Sequence, residues 1–140
     1  MVYRRGLVAW LVVVLVSVAG FAGDGEAVEA AKSSTLAWLA LVDGDEAGES
    51  WEVAGSLFKS GVTQEKWVGM LEQARGPLGK VTSRELSSAK LSTELPNAPK
   101  GEFVVLEYAT SFVNRQDAIE RVVAILDEDG EFRVIGYGIQ

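Results

Sequence analysis

Phe103-Val104-Val105-Leu106-Glu107-Tyr108-Ala109-Thr110-Ser111-Phe112-Val113 decides the fold. Its β-branched and aromatic content is that of a half-buried strand. Val104, Leu106, Tyr108 and Phe112 fall on one side of it, and Phe103, Val105 and Ala109 on the other. A sheet with one face in water alternates more cleanly. One face is therefore expected to take helices and the other a partner, a second copy, or the sheet's own curvature.

Ala118 to Leu126 has the same character, after a polar break at Asn114-Arg115-Gln116-Asp117 that reads as a turn. Pairing around that break makes opposed residue numbers sum to about 231, so Glu107 faces position 124 and Glu120 faces position 111. Asp127-Glu128-Asp129-Gly130 reads as a tight hairpin. The last strand, Glu131 to Ile139, carries Gly136 and Gly138 on one face, which suggests a bend or a close approach there. Upstream, Leu78 to Leu91 mixes Val81, Leu86, Ala89 and Leu91 with Ser, Thr, Arg84 and Lys90, the polarity of an edge strand. Leu95-Pro96-Asn97-Ala98-Pro99-Lys100-Gly101 forms the loop between these first two strands.

Helices precede the sheet. Val28, Ala31, Thr35, Trp38, Leu39 and Val42 recur at three- and four-residue steps, predicting a helix over about 26–42 after a flexible acidic start at Asp24 to Glu29. A second helix is read over 46–59, with Trp51, Ala54, Leu57 and Phe58 inward. A third starts at the N-cap candidate Thr63, buries Trp67, Met70, Leu71 and Ala74, and stops at Gly76-Pro77. Val62 and Trp67 have the spacing of a hydrophobic staple. The expectation is one α+β domain over 36–140, with 23–35 as flexible start and beginning of helix one. Three N-terminal helices would pack on a curved four-stranded antiparallel meander, cystatin-like or nuclear-transport-factor-two-like in layout.

The 140-residue chain has 13 basic and 20 acidic residues, a net charge of −7, which is no nucleic-acid footprint. It contains neither cysteine nor histidine. That excludes disulfides, thiol nucleophiles, histidine bases and Cys/His zinc sites. Tyr3-Arg4-Arg5, the apolar run Leu7 to Ala19 and the small residues around Ala19 and Ala22 form a signal-peptide pattern over 1–22. Cleavage after Ala19 or Ala22 would deliver the chain to the periplasm or outside. An uncleaved anchor is the alternative, and the membrane is otherwise met only during export. Cleavage after Ala22 would remove Arg4 and Arg5 and no acid, taking the net charge to −9.

Trp38-Leu39-Ala40-Leu41-Val42-Asp43-Gly44, Trp51, Trp67, Arg75-Gly76-Pro77-Leu78-Gly79-Lys80-Val81-Thr82-Ser83-Arg84-Glu85-Leu86, Leu95 to Val105 and Val134-Ile135-Gly136-Tyr137 resemble, in order and spacing, a bacterial domain-of-unknown-function family, number four thousand and nineteen. The resemblance runs from about Leu36 to Ile139. It implies a small exported domain and brings no catalytic residues. Lys100 departs from the family's tendency to an acidic residue there.

Candidate chemistry is sparse. Neither Asp43-Gly44-Asp45-Glu46 nor Asp127-Glu128-Asp129-Gly130 matches a calcium loop: from Asp43 the twelfth position is Ala54, and from Asp127 the sixth is Phe132. No metal and no cofactor is expected, and Gly136-Tyr137-Gly138 precedes no helix, so it is no dinucleotide fingerprint. Trp38, Arg84, Glu107, Tyr108, Glu120 and Tyr137 are the candidate ligand-binding residues of a pocket between helices and sheet. Core aromatics, and carboxylates paired with Arg84, Arg121 or Arg133, are the plainer reading of the same residues. Two functions stand: a non-catalytic envelope module that binds a small ligand or envelope protein, with a homodimer through the free sheet face; or a small pocketed enzyme using Glu107 or Glu120 as general base. The second requires a carboxylate buried in a pocket and not consumed by arginine.

Overall fold

The computed structural model describes residues 23–140; the signal-peptide expectation, residues 1–22, lies outside the described residues. The order is α1 (Asp24–Asp43), α2 (Ala47–Glu52), α3 (Ser56–Gly61), α4 (Gln64–Arg75), a 3₁₀ turn (Gly76–Leu78), then β1 (Val81–Ser92), β2 (Phe103–Phe112), β3 (Arg115–Leu126) and β4 (Phe132–Ile139). The strands form one antiparallel sheet in chain order. The α+β class and the meander are as expected, with β1 at an edge.

α1 lies across all four strands on one sheet face. Ala27, Ala31, Thr35, Trp38, Leu39 and Val42 are buried. The helix already begins at Asp24 and Ala27 is buried, so the expected flexible start belongs to the packed helix. From the sheet, Val104, Leu106, Tyr108, Val122, Ala124, Phe132 and Val134 complete the core. Each large apolar side chain buried this way contributes about 1.5–3 kcal/mol.

Among the described residues there are four helices, not three. The helix read over 46–59 breaks at Gly55, whose N–H donates to the Val134 carbonyl at 2.8 Å and docks the chain on the β4 edge. A β-carbon at 55 would come within 2.7 Å of Ile135 Cγ2, so only glycine allows this approach. The Asp127 carboxylate accepts from the Ser56 N–H and hydroxyl at 2.9 Å each and caps the start of α3. Leu57, Met70 and Ala74, expected inside, are exposed. Thr63 is the N-cap of α4, its hydroxyl accepting from Lys66 N–H at 3.3 Å.

The β2–β3 register also differs. The turn is two residues, Val113-Asn114, and Arg115 already pairs with Phe112. Bonds from Val113 N–H to the Lys80 carbonyl and from Asn114 N–H to the Leu78 carbonyl pin the turn to the start of β1. The polarity of 115–117 reflects exposure, not a loop. Opposed numbers therefore sum to 228: Glu107 faces Arg121, and Glu120 faces Tyr108. An odd shift of register moves a strand's side chains to the opposite faces of the sheet. This one carries Glu120 onto the core face and leaves Glu107 on the outer one.

Gly136 and Gly138 do sit on the outer face, opposite Val123 and Arg121. The expected close approach is absent: a β-carbon at 136 would make ordinary contact with Val123, and one at 138 would meet nothing. The bend is a register shift between Val123 and Ala124, which leaves Ile135 unpaired in β4.

Candidate functional site

Five of the six candidate residues, Trp38, Arg84, Tyr108, Glu120 and Tyr137, converge between α1 and the sheet; Glu107 does not. The Glu120 side chain has no exposure. Its Oε1 accepts from Arg84 Nε at 2.7 Å and from the Thr110 hydroxyl at 2.6 Å. Its Oε2 accepts from Arg84 Nη2 at 3.2 Å and from the Tyr137 hydroxyl in a short hydrogen bond. Arg75 Nη1 lies 3.8 Å from the same oxygen and donates to the Tyr137 oxygen at 3.3 Å. A carboxylate offers about four lone-pair sites, and these four donors occupy them.

Asp43 closes the network at the end of α1. Its Oδ2 accepts from Arg84 Nη1 at 2.7 Å, and its Oδ1 from Arg84 Nη2 at 3.1 Å and Arg75 Nη2 at 2.8 Å. Two carboxylates and two guanidiniums make a neutral cluster that ties α1 and α4 to β1, β3 and β4. Arg75 also stacks over Phe112 at 5.0 Å.

Burial by itself would raise the Asp43 carboxyl, but the hydrogen bonds from Arg84 and Arg75 outweigh it and hold it below the usual carboxylate value. Burial also disfavours the Arg84 cation, and Asp43 and Glu120 more than offset that. Burial, reinforced by the Glu120 charge, pushes the Tyr137 hydroxyl well up, so it stays a neutral donor. Burial pushes Tyr108 up to about 12. The Tyr108 hydroxyl lies inside with no hydrogen-bond partner among the described residues.

Beside the network, Trp38 Nε1 donates to the Ser50 carbonyl at 2.8 Å and Trp67 Nε1 to the Ser50 hydroxyl at 2.9 Å. Trp38 and Tyr137 pack with their rings tilted by 58° and centroids 5.4 Å apart. The two indole N–H groups are thus engaged, and Trp38 also borders a recess of about 370 Å³ between α1 and β4 with Val53, Phe132 and Val134.

The concavity next to the network lies one layer outward. A cleft of about 440 Å³ opens between the end of α1, α2, α4 and the approach to β1. Val42, Val68 and Leu71 form its apolar wall, and Asp43, Asp45, Glu72, Arg75 and Lys80 bring charge to its lining. None of the six candidate residues lines it. Asp43 and Arg75 were not among the candidates: one falls just past the helix read over 26–42 and the other just before the Gly76-Pro77 stop. The signal was there: Asp43 continues the Thr35–Leu39 line at four-residue spacing, and Arg75 the Trp67–Leu71 line. An acid in the last turn of α1, with no base beside it, also opposes the helix dipole and calls for a partner elsewhere.

Among the described residues no group of acidic side chains is arranged to hold a metal ion, and no helix is long and apolar enough to cross a membrane. No curated protein and no solved structure matches the chain. The family model described as "Protein of unknown function (DUF4019)" matches residues 34–137, which takes in α1 from its middle, the later elements up to Tyr137 in β4 and the whole charge network, and the chain belongs to that family.

Proposed function

We propose that the protein is a non-catalytic binding module of the bacterial cell envelope that takes a small ligand in the cleft beside Asp43 and Arg75. The observation that carries this is the saturation of the buried network. Glu120 has its lone pairs engaged by Arg84, Thr110 and Tyr137 and cannot accept a substrate proton without breaking that set. Glu107 faces Arg121 on the far side of the sheet, away from the cleft. Both carboxylates named for general-base work are thus unsuited to it, while the cleft keeps an apolar wall and a few charged handles, the usual make-up of a ligand site. A ligand with an apolar body against Val42, Val68 and Leu71 and a polar end toward Lys80, Asp45 and Glu72 fits its chemistry. The envelope location rests on the basic, apolar and small-residue pattern of residues 1–22.

A thermal-shift screen of the exported chain against envelope sugars, lipids, peptides and metabolites tests the reading. A ligand at a hundred times its Kd adds about 2.7 kcal/mol. The expected result is a hit whose shift disappears in Val68→Trp, a change that fills the cleft. A hit indifferent to Val68→Trp, or no hit in the whole library, counts against the cleft. N-terminal sequencing of the exported chain is expected to start at Gly20 or Gly23; an intact Met1 contradicts the processing reading.

A further inference from the structure

The outer sheet face, remote from the cleft, carries a pattern that the binding reading does not use. The register lays it out in rows across the strands. One row is Lys90, Val105, Val123, Gly136; the next is Ser88, Glu107, Arg121, Gly138; beyond it Ala109 pairs with Ile119 beside Glu85. The loop before β2 covers only one end of the face, where a β-carbon at Gly101 would touch Ile125 and Phe103. Ile119 is 41% exposed on this face. On the two middle strands the acid–base pair Glu107–Arg121 lies between the apolar pairs Val105–Val123 and Ala109–Ile119, and the β4 side is lowered by two glycines.

We infer that this face is an isologous dimer interface whose occupant is a second copy of the chain. A two-fold axis parallel to the strands, between β2 and β3, lays β2 on the second copy's β3. Glu107 then meets the second copy's Arg121 twice over, Val105 meets Val123, and Ala109 meets Ile119. The same operation sets β1 over the second copy's β4, so the stem of Lys90 crosses Gly136 and Ser88 crosses Gly138. The recess over those glycines, about 340 Å³, gives room for the long side chain. An axis across the strands at this row would stack Glu107 on its own copy instead. Closed two-fold interfaces need such self-complementarity, and aligned sheets pack face to face about 10 Å apart. Four strands some 4.8 Å apart and roughly eight residues long give on the order of 500 Å² in plan, which puts the dimer toward the weaker end of specific interfaces.

The test is light scattering on the exported full chain from micromolar to about millimolar, the range where such interfaces dissociate. The wild type is expected to double in mass with concentration. Glu107→Arg and Arg121→Glu, each checked for a native circular-dichroism spectrum, are each expected to weaken association by tenfold or more. Mixing the two variants is expected to restore it, because the first then presents two arginines along the central row and the second two glutamates. Recovery on mixing separates an interface effect from damage to the sheet. A wild type that stays monomeric, a dimer that neither variant disturbs, or a mixture that fails to associate overturns the inference. None of these outcomes touches the cleft, whose test is ligand binding.

Discussion

Arg84 and Glu120 are joined by two roughly parallel hydrogen bonds, Nε to Oε1 at 2.7 Å and Nη2 to Oε2 at 3.2 Å, where the carboxylate has no exposure. The guanidinium's other edge is bound to Asp43, so one side chain holds the end of α1 against β1 and β3. Buried pairs of this kind add little compared with an apolar core of the same shape, but half of one is costly. The arrangement is therefore a fastening between the helical layer and the sheet.

Two tyrosines on the same sheet face separate engaged from idle hydroxyls. Tyr137 donates to Glu120 and accepts from Arg75, whereas Tyr108 has no hydrogen-bond partner among the described residues. Tyr137→Phe leaves a charged acceptor short of a donor and is expected to cost about 1–3 kcal/mol. Tyr108→Phe removes a buried unpaired hydroxyl and is expected to be neutral or stabilising by up to about 1 kcal/mol. Urea denaturation of the two variants checks the order; equal losses contradict it.

Stability is expected to fall at both ends of the pH scale, for different groups. The Asp43 pKa is lower in the folded chain than the ordinary 3.8. Its contribution is present above that ordinary value and is lost as pH falls through the folded one, because the unfolded chain takes up the proton first. Tyr108, raised from 10 to about 12, works in the opposite direction: its contribution is full below pH 10 and is lost as pH rises toward 12. Asp43→Asn is expected to reduce the acid limb and Tyr108→Phe the alkaline one, while Asp127 and Asp129, also lowered, and Tyr137, also raised, keep part of each. Melting curves from pH 3 to about 11 record both, and unchanged limbs contradict the assignment.

Gly55 and Gly69 make a steric contrast. A β-carbon at 55 would meet Ile135 Cγ2 at 2.7 Å and Arg133 Cβ at 3.3 Å, while one at 69, inside α4, meets nothing. Gly55→Ala is expected to destabilise by about 1–3 kcal/mol through overpacking. Gly69→Ala is expected to stabilise by about 0.5–1 kcal/mol, because alanine loses less backbone freedom in a helix. Calorimetry on the pair reads the sign of each.

Most of the scaffold was legible from pattern alone. The α1 stripe, the Thr63 cap, the Asp127–Gly130 turn and the edge character of β1 follow from local chemistry. What the sequence hid was set by distant contacts. Gly55 breaks a helix because β4 accepts its N–H, and the β2–β3 turn is short because Val113 and Asn114 bond back to residues 78–80. That register decides which face Glu120 occupies, so an error there moved the most deeply buried charge to the wrong side. Arg84, Glu120 and Tyr137 could be picked out as a group, but Asp43 and Arg75, equally part of it, were disguised as ordinary helix ends.

The most direct test of the fastening is a double-mutant cycle on Arg84 and Glu120, with Arg84→Met, Glu120→Leu and both together, followed by chemical denaturation. Each single change strands a buried charge and is expected to cost about 3–5 kcal/mol. The double variant is expected to lose far less than the sum, with a coupling of at least about 2 kcal/mol, and to keep a native fold. Additive losses, or single variants as stable as the wild type, would contradict the claim that this pair fastens the helices to the sheet.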